Sequence, residues 1–149
     1  MIKVRTLGIV VALALLVGAG VQAGASSDTA APVGARLMEA LVAKDFDRAE
    51  SLLAPDIEFK GYTPTKGFFE LSGSDAVMGL YHEWYEADSV LDYVDTEEVV
   101  DRHRVGYRIR WTSPESDPYV FAQQAFYDVA GDRITHLQLV CSGDRPLPS

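Results

Sequence analysis

Only one cysteine, Cys141, stands in the 149 residues. A lone thiol makes no internal disulfide, so the folded unit depends on its core alone. Metal-binding patterns are missing as well. His82, His103 and His136 lack the spacing of a zinc site and have a single cysteine to join them. No metal and no cofactor is therefore expected. There is no Gly-x-Ser-x-Gly elbow, no phosphate loop and no dinucleotide fingerprint. Basic charge is scarce: 13 Lys and Arg stand against 22 Asp and Glu, a net charge of −9. Nucleic acids and anionic membrane surfaces are bound through basic footprints, so neither is an expected partner of the mature chain.

What is present begins with an export pattern. Lys3 and Arg5 precede an apolar run over residues 7–17, and Val21-Gln22-Ala23 is a small-x-small cleavage site. This is the layout of a secretory signal peptide over residues 1–23, which places the mature chain outside the cell or in the periplasm. The competing reading is a retained membrane anchor, but the Gly- and Ala-rich end leaves a short greasy stretch for a spanning helix. Residues 24–32, small and polar, read as a linker. Residues 33–149 are then one domain, with an apolar content of 48% over the whole chain.

Leu37, Met38, Leu41 and Val42 share one helical face. Asp45 can cap a second helix that buries Phe46, Ala49, Leu52 and Leu53, with Pro55 ending it. A short strand holds Ile57 and Phe59, and residues 61–73, rich in glycine, read as a loop. Ser74 caps a third helix, whose Val77, Met78, Tyr81, Trp84 and Tyr85 form an aromatic inner face. Strands follow near 90–100, 102–113, 119–129 and 133–141, joined by turns. This order predicts an α+β fold, with three helices packed on one face of a curved antiparallel sheet.

Alternation sorts the strands' side chains. Val105, Tyr107, Ile109 and Trp111 face one way, and Arg104, Arg108 and Arg110 the other, where neighbouring Asp and Glu can pair with them. Tyr119, Phe121, Gln123, Ala125 and Tyr127 oppose Val120, Ala122, Gln124 and Phe126. Both faces of that strand are largely apolar, so the outer one can meet a second copy of the chain. Leu137, Leu139 and Cys141 share a face with Thr135, opposite Ile134, His136, Gln138 and Val140. The three carboxylates of 96–101 read as a solvated strand edge, because nothing nearby would split their pKa values.

The succession "RLMEALVAKDFDRAESLLAPDIEFKG", "GSDAVMGLYHEWY" and "FYDVAGDRITHLQLV" resembles the nuclear transport factor two-like superfamily. Within it the likeness is to the SnoaL-like branch, with polyketide cyclases, limonene-type epoxide hydrolases and ketosteroid isomerases as relatives. The likeness covers roughly residues 33–142. It implies a cone-shaped barrel with an apolar cavity between helices and sheet, often as a homodimer. It also implies losses. The isomerases' first-helix tyrosine position reads Leu37, their catalytic aspartate position Gly61, and their second oxyanion-hole acid Gln123 or Gln124. The cyclase-like members carry an inward aspartate on the last strand, and that position reads Leu139. The supporting tyrosine of the isomerases' third helix is matched by Tyr81.

The resemblance thus implies a retained cavity without its acids and bases. Tyr81, Tyr107, Trp111, Gln123, Leu139 and Cys141 are the candidate ligand-binding residues, and no catalytic residue is assigned. Core packing is the competing reading for each of them. Cys141 is read as apolar lining, since Asp144 disfavours a thiolate and Arg145 helps only if the tail folds back. Two functions remain. One is an exported domain binding a small apolar molecule. The other is a cyclase- or isomerase-like enzyme for a lipophilic substrate, with tyrosines and Gln123 as donors and Glu58 as its carboxylate.

Overall fold

The computed structural model describes residues 31–113 and 116–146. The signal-peptide pattern and most of the linker lie outside the described residues, as do two residues of the turn after residue 113. No helix among the described residues is long and apolar enough to cross a membrane.

Two short helices open the fold, α1 (Val33–Val42) and α2 (Phe46–Ser51). Lys44, at φ 58°, turns the chain between them, and the Asp45 carboxylate accepts the Arg48 amide at 3.2 Å as the cap of α2. The strand that follows is longer than its sequence pattern suggests. β1 spans Leu53–Thr63 and pairs antiparallel with β2 (Gly67–Ser72), so the segment read as a loop is a hairpin. One of its glycines serves pairing rather than freedom. Gly61 stands opposite Phe69, and a Cβ there would overlap the Phe69 ring. Next comes α3 (Ser74–Trp84), whose cap position is Gly73 at φ 88°; Ser74 is the first helical residue and makes no capping bond.

The remaining strands are β3 (Asp88–Val99), β4 (Arg102–Ser113), β5 (Ser116–Ala130), β6 (Arg133–Cys141) and the two-residue β7 (Arg145–Pro146). They form one sheet in the order β2-β1-β6-β5-β4-β3, with β7 beside β5. The architecture is α+β as expected, but the sheet is mixed. β1 and β6 run parallel, Glu58 opposite His136 and Tyr62 opposite Val140, while the other pairs are antiparallel. A hairpin meander needs only short connections, whereas the first strand returns to the sixth through a long crossover.

One face of the sheet meets the helices. α1 packs on β3, β4 and β6, and α3 on β1 and β2. Leu37, Leu41, Ile57, Phe59, Val77, Tyr81, Ile109, Tyr127, Ile134 and Leu139 are fully or almost fully buried there. Ile134 departs from the simple alternation. Register shifts in β1 between Leu53 and Glu58 and in β5 between Asp128 and Val129 turn it inward to pair opposite Leu53. On the outer face the arginines are paired. Arg104 reaches Asp95 at 2.6 Å and Glu97 at 3.1 Å, and Arg110 reaches Asp92 at 2.6 Å.

Candidate ligand groove

The interior between helices and sheet is filled. Around Leu37, Met38, Tyr81, Tyr107, Leu137 and Leu139 a void of only about 10 Å³ remains, room for at most one water. The roomy apolar cavity expected there is closed by these side chains. The open space lies at the C-terminal end of α3 instead. It is a groove of about 250 Å³ whose walls come from four places. The β1–β2 turn supplies Thr63, Thr65 and Lys66; α3 and its cap supply Glu83, Trp84 and Tyr85; β4 and β5 supply Trp111, Phe121 and Gln123; the chain end supplies Cys141, Gly143 and Asp144.

Each wall is held in place. The Thr63 hydroxyl accepts the Lys66 amide at 3.1 Å, closing the hairpin turn, and Gly67 at φ 72° lets the chain reverse. The Lys66 ammonium meets Glu83 at 3.2 Å, tying that turn to α3 across the groove mouth. At the other end the tail folds back. Gly143, at φ 79°, packs against Pro64, and Arg145 and Pro146 pair with Val120 and Tyr119. The Ser142 amide donates to Ala122 at 2.8 Å, and its hydroxyl accepts the Ala122 amide at 3.0 Å. Arg145 donates to the Asp144 carbonyl at 3.0 Å and is not among the groove residues. Cys141 is half-buried, and its sulfur accepts the Gly143 amide at 3.4 Å.

The groove's inner polar groups are neutral. Tyr107 donates a short hydrogen bond to Gln123 Oε1. Gln123 is buried and Gln124 exposed, so Gln123 is the amide of the inner face. Among the described residues the Tyr85 hydroxyl lies near that of Tyr107 but makes no hydrogen bond of good geometry, and Trp111 Nε1 is buried without a partner. Burial, foremost, pushes the hydroxyls of Tyr85 and Tyr107 well above the usual tyrosine range, and the nearby Tyr81 raises both further. Neither can act as a base near neutral pH.

The six candidate residues separate into three positions. Trp111, Gln123 and Cys141 line the groove together. Tyr107 stands behind it, touching it through Gln123. Tyr81 and Leu139 sit in the packed interior, where Tyr81 meets Phe59, Trp84 and Tyr85 edge-on. Glu58 is on the other face of the sheet, exposed and 3.4 Å from His136. His82 stacks on Phe46 and His103 on Tyr127, both away from the groove. Among the described residues no cluster of His, Cys, Asp or Glu could hold a metal ion.

Sequence reasoning missed Trp84, Tyr85, Phe121 and Lys66 as groove residues. The first two were legible as an inner aromatic face, but not as the end of it that borders the groove. Lys66 was hidden by reading the hairpin as a loop. A second, open hollow of about 450 Å³ lies near the start of α1, between Arg36, Glu97, Glu98, His103 and Asp132. It is larger but its charged walls suit solvent better than an apolar ligand.

Fold and groove together define a small α+β domain with helices over one sheet face and an aromatic opening at one end. The SnoaL-like domain family matches residues 35–137, and the chain belongs to that family. No curated protein matches it. Among solved structures, a Bacillus subtilis protein provisionally named an isomerase has a TM-score of 0.65 at 13% identity, covering 74% of this chain and 84% of its own. A Xanthomonas campestris pv. campestris protein provisionally named a polyketide cyclase has 0.58 at 18% identity, covering 76% and 88%. An "LEH-like epoxide hydrolase" from M. tuberculosis has 0.57 at 14% identity, covering 74% and 80%. Likenesses this distant establish the nuclear transport factor two-like fold and nothing of the chemistry.

Proposed function

We propose that this domain binds a small apolar molecule in the groove and does not carry out acid–base chemistry on it. One observation supports this above the others. The groove offers Trp84, Tyr85, Trp111, Phe121 and Cys141 as apolar surface, and among the described residues no buried carboxylate or imidazole lines it. Its charged residues are Lys66, Glu83 and Asp144, and the first two neutralise each other. Proton abstraction needs a group titrating near working pH. The enzyme reading looked to Glu58 for one, and Glu58 faces away.

Native mass spectrometry of protein recovered from its exporting host tests this reading. Wild type is expected to carry a co-purifying small molecule, and Cys141→Phe, which fills the groove, to lose it while keeping the wild-type circular dichroism spectrum. Equal occupancy in both proteins, or none in either, overturns the proposal. Export itself is inferred from residues 1–23 alone; N-terminal sequencing of the recovered protein should begin near residue 24.

A further inference from the structure

The two unpartnered polar atoms at the groove constrain what fits there. An indole N–H only donates, so Trp111 Nε1 needs an acceptor. The Tyr85 hydroxyl, on a residue 2% exposed, likewise makes no hydrogen bond of good geometry among the described residues. Buried polar groups are rarely left so, and each costs about 1–3 kcal/mol when it is. Two nearby acceptors are already engaged: Gln123 Oε1 by Tyr107, and the Thr63 hydroxyl by the Lys66 amide.

Charge narrows the ligand further. A carboxylate would bring a third negative charge beside Glu83 and Asp144, and the Lys66 ammonium is already held by Glu83. The chain's net charge of −9 opposes an anion as well. Size sets the last limit. Ligand pockets commonly hold about 300–1,000 Å³, and the groove's 250 Å³ falls below that range with a packed interior behind it. A skeleton of four fused rings exceeds that volume.

We propose that the groove selects a compact, uncharged carbonyl compound, whose oxygen accepts from Trp111 Nε1 and the Tyr85 hydroxyl while its hydrocarbon part lies against Phe121 and Trp84. This rests on the binding function proposed above and specifies its ligand class.

The molecule carries its own reporter. It has two tryptophans, and both line the groove. The full chain is titrated with δ-decalactone, with its ring-opened anion 5-hydroxydecanoate, with pentylcyclohexane, which has a similar shape and no oxygen, and with progesterone. Binding is read by tryptophan fluorescence and by the two indole N–H signals in the 1H–15N spectrum. The lactone is expected to bind about tenfold tighter than the hydroxy acid or the hydrocarbon, the worth of one well-made hydrogen bond. It should also shift the Trp111 indole proton downfield; progesterone should not bind. Trp111→Phe should reduce the lactone to the affinity of the hydrocarbon, and Tyr85→Phe, a gentler change, should lower the preference for the lactone. Equal affinity for lactone and hydrocarbon, tighter binding of the hydroxy acid, or binding of progesterone overturns the ligand class but leaves the groove-binding function standing. No response of either tryptophan to any probe overturns both.

Discussion

Gly61 is the residue that the likeness to steroid isomerases matched with their catalytic aspartate, and here an aromatic ring fills the space a side chain would take. The Phe69 ring covers Gly61 from the facing strand and continues into Phe59 and Trp84. A side chain at residue 61 and the ring at residue 69 exclude each other. Gly61→Ala is expected to destabilise the fold by about 1–3 kcal/mol through overpacking. In a double-mutant cycle with Phe69→Ala, read by urea unfolding, most of that cost should vanish; additivity of the two changes would contradict the steric account. The tyrosines make a second statement at this scale. Burial raises the pKa of Tyr81, Tyr85, Tyr107 and Tyr127 above the 10.0 of an unperturbed tyrosine. The folded chain therefore keeps protons that the unfolded chain releases above that pH. Stability owed to these groups is flat below pH 10 and falls above it, by about 1.4 kcal/mol per pH unit for each of the first three. Urea unfolding between pH 8 and 11 checks this; a level profile would show that the four hydroxyls ionise freely. The inward direction of the four tyrosines was legible from helix and strand periodicity alone. That Tyr81 and Leu139 are core and Trp111, Gln123 and Cys141 are groove was not, because periodicity gives a side chain's direction and not the volume its neighbours leave.

Hairpins decide how the elements meet. β3 and β4 are joined by Val100 and Asp101, with Val99 opposite Arg102, a two-residue reversal that favours glycine or asparagine. Val100 instead holds φ 61° with its side chain wholly exposed. A β-branched residue in that conformation is strained by about 1–2 kcal/mol. Val100→Gly is accordingly expected to raise stability by about 1 kcal/mol and the melting temperature with it; a neutral or lowered melting temperature would mean that the turn relaxes without help. The element borders explain which readings from sequence were sound. β4 matches its alternation pattern closely, and β6 does so from Thr135 onward, since each carries apolar and polar residues with period two there; Ile134, expected on the outer face, is buried instead. The β1–β2 hairpin was missed because glycines and a proline usually signal a loop, whereas here Gly61 is a strand residue facing an aromatic ring. Ser74 missed its cap because Gly73, at positive φ, took that place.

For the molecule as a whole, the outer sheet face divides into two zones. The arginine–carboxylate ladder covers β3 and β4. On the other half Phe68, Tyr62 and Val140 lie in one row across β2, β1 and β6, and are 64%, 47% and 56% exposed. An apolar row of this kind marks a contact surface, and we propose that a second copy of the chain covers it. Light scattering on the eluting protein should report a dimer, and Val140→Lys a monomer of unchanged fold; a monomeric wild type at high concentration would count against this. The parallel pairing of β1 with β6 carries a consequence in time. Glu58 finds His136 only after nearly the whole meander has been threaded between them. Non-local pairing of this sort is slow, because closure entropy is lost before contacts reward it. The β1–β2 hairpin must wait with one edge unsatisfied until β6 arrives, and during that interval the nascent chain is most open to aggregation and to the attention of a chaperone.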